Sequence, residues 1–234
     1  MPVSIISSNQ ESGRLSRSQV NQLIDLDRYP IDQLESGAGR DLIEICHNNL
    51  ATQAIALLPG FIRPSAISEI AEEAQDLIDQ AYRYDQPRAA FYEHPNHHHR
   101  AHDGDDWSTL RSKRHPNRYC QILNYQIPNN SNLRAIYLWP KLTEFVRRVL
   151  DVNRLYPSVC PHLALTMKVA FEGDLDGWHY DPNDGVITLM LQPSESGGEF
   201  EYAPYIRNEQ EENYTGVKRL FDSPDTEAQR IKLE

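Results

Sequence analysis

Apolar and polar positions alternate strictly over residues 163–171. Leu163, Leu165, Met167, Val169 and Phe171 fall on one side, and Ala164, Thr166, Lys168 and Ala170 on the other. A period of two predicts a half-buried strand. Its apolar side is expected to pack inside a sandwich. Its small polar side suits the lining of a pocket, with Thr166 and Lys168 as candidate pocket residues and a merely solvated Lys168 as the plainer alternative. The apolar run over 186–192 predicts a second core strand, and residues 199–203 and 230–233 predict shorter ones. Further strands are expected over 52–58, halted by Pro59-Gly60, and over 119–127.

Helical spacing appears elsewhere. Ile67, Ile70, Ala71, Ala74, Leu77, Ile78 and Ala81 recur at intervals of three and four after Pro64-Ser65, which predicts a helix starting there. Its other face carries Glu69, Glu72, Glu73, Asp76 and Asp79, expected to be solvated. Residues 40–49 suggest a short amphipathic helix. Asn130-Ser131 should cap another, which Pro140 kinks or restarts. Residues 204–225 read as a helical excursion on the surface. Residues 1–20 are rich in Ser, Gln and Asn and suggest an extended start, so the chain divides into a polar segment, 1–39, and one domain, 40–234. No repeat of solenoid length is visible.

The sequence Gly177-Trp178-His179-Tyr180-Asp181 stands just before the 186–192 run. On a strand, His179 and Asp181 would project from one face, with Trp178 and Tyr180 on the other. An imidazole beside a carboxylate makes two corners of the 2-His-1-carboxylate triad that holds non-haem Fe(II). Asn183 and Asp184 follow at once, as candidate pocket residues or as an ordinary turn. A second concentration of ligand-type residues, His94, His97, His98, His99 and His102 among Asp103, Asp105 and Asp106, reads as a surface loop or an active-site lid. Adjacent histidines cannot all aim at one ion from regular structure. Asp174 and Asp176 lie in a turn that lacks the other ligands of a calcium loop.

Composition narrows the partners. The chain has 234 residues and a formal net charge of −11, which argues against a general nucleic-acid surface but leaves room for a small anionic ligand. No apolar run reaches the ~20 residues of a membrane-spanning helix, and no signal peptide is evident. Cys46, Cys120 and Cys160 are widely spaced and odd in number, as in the reduced thiols of a cytoplasmic protein. Neither a nucleic-acid nor a membrane partner is therefore expected.

His179-x-Asp181, the strand before it and Gly197-Gly198-Glu199-Phe200 after it resemble the Fe(II)/2-oxoglutarate-dependent dioxygenase superfamily. The likeness spans residues 53–234, with its motif core at 163–203, and Leu58-Pro59-Gly60-Phe61 before a helix is similar to the usual prefix of that superfamily. The resemblance implies an α+β, mainly β fold: a double-stranded β-helix, or jelly-roll, behind an N-terminal helical flank. It also implies iron on His179 and Asp181, with 2-oxoglutarate and O2 as cosubstrates, in an enzyme hydroxylating a small polar or amino-acid-like substrate. The superfamily's second histidine should follow tens of residues after the Asp, with a basic residue behind it that grips 2-oxoglutarate. No histidine follows His179. The expectation is thus a domain truncated before its last strands and incompetent alone, with His162 as a possible substitute ligand. A β-sandwich binding domain and a cupin-like metalloenzyme independent of 2-oxoglutarate remain the alternatives.

Overall fold

The computed structural model describes residues 16–91, 107–181, 185–208 and 211–233. The expected pocket residues Asn183 and Asp184, and the histidines of the 94–102 stretch, lie outside them. The fold mixes helix with small, open antiparallel sheets, 38% helical and 14% strand, so helix outweighs the β content expected from the sequence.

Local signals start the helices. Helix α1 (Arg17–Leu23) opens on a capping box between Ser16 and Gln19. Helix α2 (Gly37–Gln53) is capped by Ser36, whose hydroxyl accepts from Gly39 N at 3.0 Å. Helix α3 (Pro64–Leu77) begins with proline in its first turn, where the missing N–H costs nothing, and runs into a 3-10 turn, Ile78–Gln80. Helix α4 (Trp107–Ser112) is short. Ser131 caps α5 (Asn132–Tyr137), and Pro140 opens α6 (Pro140–Val149). Helices α7 (Tyr214–Asp222) and α8 (Pro224–Glu227) complete the set.

The acidic face of α3 is not simply solvated. Glu73 accepts from Ser131 Oγ, and Glu69 from Asn132 Nδ2, each at 2.6 Å, which pins the start of α5. Glu144 on α6 accepts from both Arg147 and Arg148, and these hydrogen bonds draw its carboxyl down to about 2.

The main sheet joins β1 (Tyr82–Asp85), β4 (Asn117–Ile122) and β5 (Met167–Val169) in that order, with β6 (Leu175–Asp176) pairing the start of β4. Two further pairs are β2 (Arg88–Ala89) with β3 (Arg114–His115), and β7 (Phe200–Tyr202) with β8 (Gln229–Ile231). All of these pairings are antiparallel. The segments near 200 and 230 therefore do form strands, as their patterns suggested.

Several expected strands are shorter or absent. Residues 52–58 are not a strand, because α2 runs to Gln53 and stops on left-handed Ala54. The nine-residue alternation at 163–171 yields only β5. Turns take the backbone groups on both sides: Ala164 N donates to Cys160 O, and Asp174 N to Phe171 O. Met167 is buried as expected, whereas Leu163 and Phe171 are exposed. No strand forms at 186–191. Val186 and Ile187 are exposed there, and only Leu189 and Leu191 rest against the core.

That core joins Val20, Ile24, Ile31, Ile70, Ile136 and Phe145 to the underside of the main sheet, Ile122 and Met167. Each such side chain contributes roughly 1.5–3 kcal/mol on burial. Residues 16–39, expected to be a polar segment, supply several of these anchors. A smaller cluster forms separately from Ala90, Phe91, Leu110, Tyr214 and Val217, so the 204–225 excursion is partly buried. The cysteines are free thiols, Cys46 buried. Among the described residues, no helix is long and apolar enough to cross a membrane.

Candidate functional site

Residues 177–181 belong to no strand, and the chain bends at Trp178. They bridge two sheets through single backbone bonds, Gly177 N to Pro116 O at 2.8 Å and Tyr180 N to Ala90 O at 2.9 Å. Pro116 has no N–H to return, so no ladder can grow there. A Cβ on residue 177 would sit 2.5 Å from Pro116 O and 2.7 Å from His115 Cβ, which explains the glycine. Tyr180 turns into the small cluster against Phe91, with the Arg207 guanidinium 4.0 Å over its ring. Burial pushes its phenol up to about 12, against the pull of Arg207. His179 instead meets Asp176 and Asp181.

The His179 ring is fixed. Its Nδ1 lies 2.7 Å from Gly177 O, and since a carbonyl only accepts, Nδ1 carries the proton. Nε2 lies 3.5 Å from Asp181 Oδ1. Two donors each about 2.1 Å from one metal at right angles lie about 3.0 Å apart. A small rotation of the half-exposed Asp181 carboxylate would close the difference. The pair fits two ligands of a divalent metal.

On the other ring edge, Asp176 Oδ1 is 3.8 Å from His179 Nδ1. Asp176 is committed to cations: Arg88 Nη2 donates to it at 2.9 Å, and Lys168 Nζ donates to its other oxygen. Lys168 also lies 4.3 Å over the Tyr119 ring. The expected pocket residue Lys168 is therefore brought to His179 through Asp176. Thr166, half-buried, makes no contact that joins it to this group.

Among the described residues, the rings of His162 and His115 stay away. His162 is exposed and meets Tyr125, and its carbonyl accepts from Asn124 N beyond the far end of β4. Gly177 is bonded beside the start of β4, and the strand between spans about 17 Å. His115 is buried with its ring 4.4 Å from Phe221, on the side of the small cluster. Among the described residues, no three His, Cys, Asp or Glu side chains are grouped to hold a metal.

Burial, with Lys113 adding to it, holds the His115 imidazole below its usual 6.5. The unfolded chain therefore takes up a proton first as pH falls. Stability should drop with falling pH from about 6.5 to the depressed folded value, then level off. Urea unfolding across that range should show this slope, and His115→Gln should remove it.

Arg88, Asp176, Asn117 and Tyr119 were not singled out by sequence. Asp176 read only as part of a turn, and Arg88 lay in an irregular polar stretch. Comparison with family models, curated proteins and solved structures found no match.

Proposed function

We propose that this chain is an oxygenase of the Fe(II)/2-oxoglutarate type, on a jelly-roll-related core, with His179 and Asp181 as protein ligands to iron. The observation that carries the reading is His179 Nε2 facing Asp181 Oδ1 at 3.5 Å, with the ring oriented by the contact of Nδ1 with Gly177 O. Bound there, iron would let O2 and 2-oxoglutarate oxidise a C–H bond of a small polar or amino-acid-like substrate, with succinate and CO2 as co-products. The chain's own residues supply orientation. Gly177 O holds the imidazole, Tyr180 anchors the segment, and Arg88 with Lys168 offsets the charge of Asp176. Among the described residues, no third protein donor joins the pair.

Anaerobic titration with Fe(II), and with Co(II) as a spectroscopic substitute, should give saturable binding that His179→Ala removes. Adding 2-oxoglutarate to the Fe(II) form should then produce a metal-to-ligand charge-transfer band. Undiminished metal binding in His179→Ala would defeat the assignment, and metal binding without any response to 2-oxoglutarate would defeat the oxygenase type.

A further inference from the structure

We propose that two copies of this chain pair through strand β1, edge to edge, as a two-fold dimer. Strand β1 stands at the margin of the main sheet, and among the described residues it pairs with β4 alone. All four of its residues are exposed. Gln86 N donates to Asn117 O, one step beyond the opposed pair Asp85 and Arg118. Hydrogen-bonded and non-bonded pairs alternate along an antiparallel ladder. Tyr82 and Tyr84 therefore turn their N–H and C=O groups to β4, and those of Arg83 and Asp85 point off the edge. Among the described residues, no backbone group meets them there. An open row of this kind is a template for a further strand.

The sequence of the strand selects the partner. A two-fold antiparallel pairing can centre on Arg83, on Tyr84 or on Asp85, but only some centres suit the charges. Centring on Arg83 or on Asp85 sets like charges opposite one another, which destabilises a sheet. Centring on Tyr84 sets each copy's Arg83 opposite the other copy's Asp85. It also brings the outward N–H and C=O groups of those two residues face to face, as a hydrogen-bonded pair requires. The Asp85 carboxylate has no hydrogen-bond or ion-pair partner among the described residues. Asp174 accepts from both terminal nitrogens of Arg83 but leaves that side chain 43% exposed, with donors to spare. Tyr82 and Tyr84 lie on the other face of the strand and add exposed ring surface of the kind interfaces favour. An unrelated extended segment would satisfy the backbone equally, but only a second copy is assured of the reciprocal charge order.

A four-residue edge is a small contact, so the dimer should be weak and reversible, with a dissociation constant on the order of 10–100 µM. The contact uses no metal, and its test does not depend on the oxygenase reading. Sedimentation equilibrium of the metal-free 234-residue chain should show the mass rising from one copy towards two across that range. Asp85→Lys puts like charges opposite one another at both ends of the pairing and should weaken association about tenfold or more. Residue 84 would face its own counterpart in a non-hydrogen-bonded pair, with Cα atoms about 4.5 Å apart and within disulfide reach. Tyr84→Cys should therefore cross-link two chains under mild oxidation. Residue 82 would lie roughly 14 Å from its counterpart, so Tyr82→Cys should cross-link no faster than the parent with its own three cysteines. A monomer at every concentration up to about 500 µM would mean that the charges guard the edge instead, and would overturn the proposal. So would undiminished association of Asp85→Lys, or a Tyr82→Cys chain that cross-links as fast as Tyr84→Cys.

Discussion

Gly177→Ala is expected to destabilise the fold by about 2–4 kcal/mol and to weaken divalent-metal binding about 10–100-fold. The added methyl would meet Pro116 O at 2.5 Å and His115 Cβ at 2.7 Å. Neither neighbour is the end of a flexible side chain. The segment must move away, stretching the 2.8 Å bond from Gly177 N to Pro116 O. The carbonyl that orients His179 moves with it. Urea unfolding reads the first effect and Co(II) titration the second. Unchanged stability would mean that the 177 backbone does not pack on Pro116. Unchanged Co(II) binding with lowered stability would mean that Gly177 O does not set the ligand's tautomer.

Arg134→Met should cost roughly 3–4 kcal/mol, from the same kind of hidden dependence on backbone carbonyls. The Arg134 guanidinium donates to Pro128 O at 3.1 Å, Asn124 Oδ1 at 2.9 Å, Asn124 O at 2.5 Å and Ile127 O at 2.7 Å. One fork thereby closes the turn between β4 and α5 and seats Ile127 in the core. Methionine preserves much of the stem's packing but leaves those part-buried acceptors without their donor. Arg134→Lys should recover only part of the loss, since a point charge cannot address four acceptors in a plane. Equilibrium denaturation of the three proteins checks the order, and a methionine variant within 1 kcal/mol of the parent would contradict it.

What the sequence disclosed was mostly local. Pro64, Ser131 and Pro140 mark the starts of three helices because capping and proline geometry act within one turn. Strand length was not disclosed, since a strand persists only where a partner supplies its bonds. Nine alternating residues at 163–171 became a three-residue strand once neighbouring turns claimed the flanking carbonyls and amides. The same distinction governs the site. His179 and Asp181 could be paired from their spacing. Arg88 and Asp176, 88 residues apart, meet only because two small sheets flank residue 116, and no pattern along the chain announces that. Lys168 was legible as facing away from the core, but its tie to Asp176 was not.

The two apolar clusters carry a consequence for how this molecule would fail on warming. His179 sits next to Tyr180, which belongs with the small cluster and not with the helices around Ile24 and Ile136. Units with little buried apolar surface open at lower free energy than the global fold. The small cluster can melt while α1–α3 and α5–α6 stay intact, carrying the 177–181 segment with it. Whatever chemistry the site performs would then have its own thermal ceiling, below the temperature at which the helical signal disappears.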